Sequence, residues 1–207
     1  MKIKTSMAVL TGLVLFCMAN VNTYVYGAEE KQGKEIFKDD FEDESDSGWM
    51  AEEDSEVEVV GTEGSAVSGK FSLQVKGTGK YIFPKKAKEF TVTKATNFSF
   101  YILPKKNVKS LGVNFKAVSP TSDNMQPRIS KKLKEGEWNQ IVIQVAKATD
   151  ATAHETSALD HKIRAIRIIC SPKNAEEELE YYLDDIVLTE SAVKEEKPKE
   201  EKSKEKK

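Results

Sequence analysis

Cysteine is nearly absent from this chain. Only two occur in 207 residues, Cys17 and Cys170. Cys17 lies in the first apolar run, so a chain that loses its N-terminus keeps a single thiol and no internal disulfide. Its core must then hold without a covalent staple. Aromatic residues are also sparse, at 8% of the chain, which leaves few rings for any flat ligand. Basic excess is missing: 32 Lys and Arg face 34 Asp and Glu, a balance that excludes a nucleic-acid footprint. Long hydrophobic runs are missing after the N-terminus, and the first one, Met7 to Ala19, is short of the ~20 residues that span a bilayer. There is no Gly-x-Ser-x-Gly elbow, no His-Glu-x-x-His pair and no phosphate loop. These absences point away from an enzyme.

The N-terminus carries an export pattern. Lys2 and Lys4 precede the apolar run, and small residues follow at Val25-x-Gly27 before Ala28. Residues 1–27 therefore read as a cleaved signal peptide, with cleavage after Ala19 as a second position. Lipid attachment at Cys17 is disfavoured by the bulky Phe16 before it. The mature chain then has 30 basic and 34 acidic side chains, no membrane span, and an expected place outside the cell, in the periplasm or in the cell envelope. Residues 28–36 form a polar leader. At the other end, Ser191 to Lys207 holds seven Lys, five Glu and no aromatic residue. It cannot bury enough apolar surface to offset ordering, and is expected to be disordered.

Between these ends, in residues 37–190, the dominant period is two. Phe71, Leu73 and Val75 alternate with polar neighbours, as do Phe98, Phe100 and Ile102. Leu111, Val113, Phe115 and Ala117 form a third stripe, Ile141, Ile143 and Val145 a fourth, and Ile166, Ile168 and Cys170 a fifth. Val57 to Val60 and Tyr81 to Phe83 are weaker strands. Gly61, Gly77, Gly79, Pro104, Pro120 and Gly136 punctuate the runs. No segment reads as a long amphipathic helix, and residues 147–160 read as a polar connection with room for one helical turn. The expected fold is all-β, an antiparallel β-sandwich of the jelly-roll kind. Cys170 continues an apolar stripe and reads as a buried, inert thiol. Tyr181-Tyr182-Leu183-Asp184-Asp185-Ile186 closes the domain with two carboxylates inside an apolar strand. Unpaired buried carboxylates are costly, so this pair must meet water or a cation.

Four motifs line up in order: Asp40-Phe41-Glu42-Asp43 with Gly48-Trp49, then Ser68-Gly69-Lys70-Phe71-Ser72-Leu73. Next come Gly136-Glu137-Trp138-Asn139 and, last, Ile163-Arg164-x-Ile166 followed by Tyr181 to Ile186. Together they resemble the carbohydrate-binding-module jelly rolls of the galactose-binding-domain-like fold, family 11 or the 4/9/22 group. They are also similar to the complex I intermediate-associated protein 30 domain. The resemblance spans about residues 37–189. It implies a structural calcium between the first and last strands, with Glu42, the Lys70 carbonyl and Asp184 or Asp185 as oxygen ligands, as suits a hard cation. It also implies a polysaccharide or cell-surface glycan as partner, bound by a monomer without catalysis. On this reading the alternative is an envelope interaction module that has lost the sugar site.

The candidate ligand residues follow from what sugars require, flat rings bordered by hydrogen-bonding groups. Tyr101 alternates out of phase with Phe98, Phe100 and Ile102, so it faces away from the core. Trp49 and Tyr81 are further rings, and Asn114, Gln126 and Arg128 supply polar contacts, with Arg164 and Arg167 beside them. Trp138 opens an apolar strand and reads as a packing residue. His154 and His161 sit in the polar connection and read as loop residues.

Overall fold

The computed structural model describes residues 34–43, 48–51, 55–61, 64–78, 81–85, 89–120, 123–152 and 156–190. Every described residue belongs to one compact unit. The expected signal peptide and tail lie outside the described residues.

In chain order the strands are β1 Lys34–Asp39, β2 Trp49–Ala51, β3 Ser55–Val60, β4 Ser72–Gly77, β5 Tyr81–Pro84, β6 Phe90–Thr91 and β7 Thr96–Lys106. They continue as β8 Val108–Ser119, β9 Asn124–Gln126, β10 Asn139–Gln144, β11 Thr149–Asp150, β12 Lys162–Pro172 and β13 Leu179–Glu190. A single 3-10 turn, Val145–Lys147, joins β10 to β11. Two antiparallel sheets result. The first runs β10-β7-β13-β4-β3 and the second β11-β9-β8-β12-β5-β2, with β6 also on β12. This is the all-β sandwich that the period-two stripes predict.

β13 organises the first sheet. β7 pairs along one edge, from Glu180 to Glu190. Its other edge is shared: β4 takes Leu179 to Leu183, and β1 takes Ile186 to Glu190. The first and last strands are therefore neighbours. β1 begins at Lys34, inside the stretch read above as a polar leader, because Lys-Glu-Ile-Phe-Lys-Asp buries no side chain fully and carries no clear apolar stripe.

The stripes meet between the sheets. Phe98, Phe100, Ile102, Leu183 and Ile186 of the first sheet face Val113, Phe115, Ile168 and Cys170 of the second, and all are essentially without exposure. The rings of Phe98 and Phe115 contact edge to face across the interface at 5.7 Å between centroids. Burial of each such side chain contributes roughly 1.5–3 kcal/mol. Cys170 hydrogen-bonds Tyr181 across the sheets, and burial pushes its thiol up to about 12, which makes it unreactive at neutral pH.

Candidate functional site

Three carboxylates gather on one surface segment, residues 67–71. Glu42, just after β1, accepts the backbone N–H of Lys70 (2.8 Å) and of Phe71 (3.0 Å) through Oε1. Asp184 Oδ2 accepts from Val67 N (2.6 Å) and Ser68 N (3.2 Å), while its Oδ1 accepts from Asp185 N (2.7 Å). Asp185 Oδ1 accepts the Ser68 hydroxyl at 3.0 Å. A regular strand would send Asp184 and Asp185 to opposite faces. Here β13 bulges between Asp184 and Val187, and Asp185 has φ +46°, so both reach the same segment. Asp184 is fully buried, and desolvation raises its pKa above the usual carboxylate value despite the three N–H donors. Among the described residues, no three His, Cys, Asp or Glu side chains gather as a metal-binding group. The residues named above for calcium thus surround one segment, and the oxygens of Glu42 and Asp184 already receive backbone N–H groups.

This segment also decides the outer face of the first sheet. The cross-strand register places Gln140, Tyr101 and Asp184 in one row, and Asp184 is covered by Val67 and Ser68. Further along, Gln74 donates to Tyr182 Oη (2.6 Å) and Glu180 Oε1 (2.8 Å), and Lys105 stands 5.8 Å from the Tyr182 ring centroid. Tyr101 does face away from the core, half-buried. Its neighbours, however, are an anchored loop and a closed polar network, not an open aromatic platform.

Trp49 is corrected outright. It is 1% exposed, its Nε1 donates to Asp39 Oδ2 at 2.8 Å, and its ring meets Phe37 edge to face. A ring so enclosed has no face for a sugar. The side chain of Tyr81 and residue His154 lie outside the described residues. His161 is buried, with Nδ1 3.1 Å from the Leu159 carbonyl, which gives it a structural place.

The outer face of the second sheet gathers the remaining candidates. Arg167 of β12 pairs with Asn114 of β8. Continuing the antiparallel registers by one residue sets Phe83 of β5 beside Arg167, and Gln126 of β9 beside Asn114. Met50 pairs with Phe83, and Thr149 pairs with Gln126. One outward row therefore crosses the sheet: Met50, Phe83, Arg167, Asn114, Gln126, Thr149. It is apolar at the β2 end and hydrogen-bonding toward β11. The next outward row holds Gly112 beside Ile169, whose side chain lies against the glycine. Asn114 is 7% exposed, and its Oδ1 is buried without a hydrogen-bond partner among the described residues. An orphaned buried acceptor costs about 1–3 kcal/mol, and the fold tolerates one here. Sequence reasoning named Asn114 and Gln126 but passed over Phe83 and Met50. The pairing of β5 with β2 that brings them together leaves no trace in either short run.

Tyr101 and Asn114 thus sit on the outer faces of different sheets, and the structure does not bring them together. Arg128 follows β9 and is exposed on the side where the chain crosses between the sheets.

No protein-family profile matches the chain, and no curated protein sequence matches it. Solved structures do. The chain is similar to the CBM22-1 xylan-binding domain of Paenibacillus barcinonensis Xyn10C, at 18% identity and TM-score 0.51, over 79% of this chain and 99% of that one. It is similar to the cellulose-induced protein Cip1 at 14% identity and TM-score 0.50, over 76% and 98%. It also matches the CBM22-1–GH10 modules of Clostridium thermocellum xylanase 10B, solved with xylohexaose, at 17% identity and TM-score 0.50, covering 76% of this chain and 29% of that one. These likenesses establish the fold as the antiparallel jelly roll of carbohydrate-binding modules. Among the described residues, no helix is long and apolar enough to cross a membrane.

Proposed function

We propose that this chain is an exported, non-catalytic module that binds a polysaccharide or cell-surface glycan on the outer face of its second sheet. The observation that carries the reading is the outward row from Met50 through Phe83, Arg167 and Asn114 to Gln126, apolar at one end and polar at the other. Phe83 and Met50 offer apolar surface to the C–H face of a sugar ring. Arg167, Asn114 and Gln126 offer the hydrogen bonds that orient it. The likeness in fold to a xylan-binding domain supports the ligand class by analogy.

Titration of the protein against a glycan panel, with Asn114→Ala and Phe83→Ala alongside, tests this. Asn114→Ala removes an unsatisfied buried acceptor, so its melting temperature should hold or rise while binding weakens about tenfold or more. Unchanged glycan affinity in both variants would move the site elsewhere. If the parent binds nothing across the panel, the envelope interaction module becomes the better reading.

Calcium belongs to the same proposal as a stabiliser of the seam between β1 and β13. Glu42, Asp184, Asp185 and the Lys70 segment supply oxygen around one segment, the chemistry calcium takes. Melting after chelation, then with millimolar calcium restored, should show an upward shift by mass action. A flat response removes calcium from the proposal.

A further inference from the structure

A cavity of about 650 Å³ lies beside β10, between that strand and residues 127–131. It sits where the chain passes from the first sheet to the second, and Thr149, the last position of the outward row on the second sheet, lines it too. Three cations border it, Arg128, Lys131 and Lys147, with the amides of Asn97, Gln140 and Gln144. Among the described residues, no Asp or Glu lines it. None of the three cations forms an ion pair among the described residues. Lys131 Nζ donates to the Gln140 carbonyl at 2.8 Å. Asn97 and Gln144 each donate an amide N–H to a backbone carbonyl, of Ala95 (2.9 Å) and Lys94 (3.0 Å). Their amide oxygens remain as acceptors for hydroxyl groups. The cavity therefore combines positive charge with hydroxyl acceptors, at a volume within the range of small-molecule sites.

We propose that this cavity is a second subsite that takes the carboxylate of an acidic sugar, a hexuronate carried by the same glycan that lies along the outward row. The inference rests on the glycan reading above and deepens it. Arg128 and Lys147 would hold the carboxylate by charge-assisted hydrogen bonds. Asn97 and Gln144 would accept the neighbouring ring hydroxyls. An extended acidic peptide is the competing occupant, since β10 is an edge strand. Lys131 argues against it: a lysine placed on the open edge at Gln140 obstructs pairing with another strand. Gln140, Val142 and Gln144 share that outward direction, so the obstruction falls at the first rung a peptide would need.

The test compares a hexuronate oligosaccharide with its carboxyl-reduced, neutral counterpart by calorimetric titration of the full chain. The acidic oligosaccharide should bind about tenfold more tightly at low salt, and the preference should shrink as salt rises. The double variant Arg128→Gln, Lys147→Gln should abolish the preference, so that the acidic and the neutral oligosaccharide bind alike. Both residues are exposed, so folding is checked by an unaltered melting temperature. Equal binding of the two sugars, or a preference that survives the double variant, overturns the inference while the glycan reading stands. If the double variant abolishes binding but Asn114→Ala and Phe83→Ala do not weaken it, the cavity is a site and the row is not. If neither sugar binds, both readings fall. Equally tight binding of a glutamate-rich peptide at the same residues would replace the sugar by a peptide.

Discussion

Asp184 is the residue on which most of the local physics converges. It is fully buried, its two oxygens receive three backbone N–H groups, and burial still dominates, so its folded-state pKa lies above the usual carboxylate value. The sign of the resulting pH dependence follows. Between the ordinary carboxylate pKa and the raised one, the folded state binds a proton that the unfolded chain does not. Stability carried by this group therefore increases as pH falls through the folded pKa, and decreases as pH rises. The comparison that isolates it is Asp184→Asn. On acidification from neutral pH toward the unfolded value, the parent should gain melting temperature relative to the variant. A constant difference across that window would show that the three N–H donors fully offset desolvation. Asn114 is the counterpart on the second sheet, where a buried polar atom, its Oδ1, is kept without a hydrogen-bond partner among the described residues.

At the scale of elements, the segment 64–71 acts as a clasp over the outer face of the first sheet. Its geometry depends on Gly69, which has φ +62° and lies so close to Glu42 that an added Cβ would stand 2.1 Å from Oε1. Gly69→Ala meets both a left-handed backbone and a collision. It should cost about 1–3 kcal/mol, read by chemical denaturation, with faster hydrogen exchange at the Lys70 and Phe71 amides. Unaltered exchange at those two amides would show that Glu42 does not hold the segment. This clasp also explains what the sequence reveals and what it hides. The alternation of Phe98, Phe100 and Ile102 correctly turns Tyr101 away from the core. Alternation is blind, however, to which of two outer faces a residue joins and to what covers it. The long strands β7, β8, β12 and β13 are legible because each carries an apolar stripe of its own. β2, β9 and β11 are two or three residues long and exist only because longer neighbours offer them an edge. The Arg167–Asn114 pair and the row around it depend on register between strands some fifty residues apart, which no local period encodes. The bulge at Asp185 is hidden for a related reason. Asp-Asp within an apolar run reads as a regular strand until the segment that both side chains must reach is in view.

At the scale of the whole molecule, one core joins the two sheets of the described residues. The buried residues run from Phe41 to Leu188, and the cross-sheet contacts among Phe98, Phe100, Phe115, Cys170 and Tyr181 join every long strand. Deleting Ser191 to Lys207 should therefore leave the melting temperature unchanged. A clear drop in the truncated protein would show that the Lys/Glu segment docks on the domain. The pairing of β1 with β13 has a mechanical consequence. Lys34 stands opposite Glu190, so the two places where the chain enters and leaves the sandwich are adjacent rungs of one ladder. A pull applied between them opens that ladder like a zip, one hydrogen-bonded pair after another, and the load never spreads over the strand as it would in shear. β1 peels away first and takes the Phe37 contact with Trp49 with it. Force that enters instead through Glu190 and the second sheet bypasses this ladder and is borne by β13 within the interlocked core. The same domain is thus soft when stretched end to end.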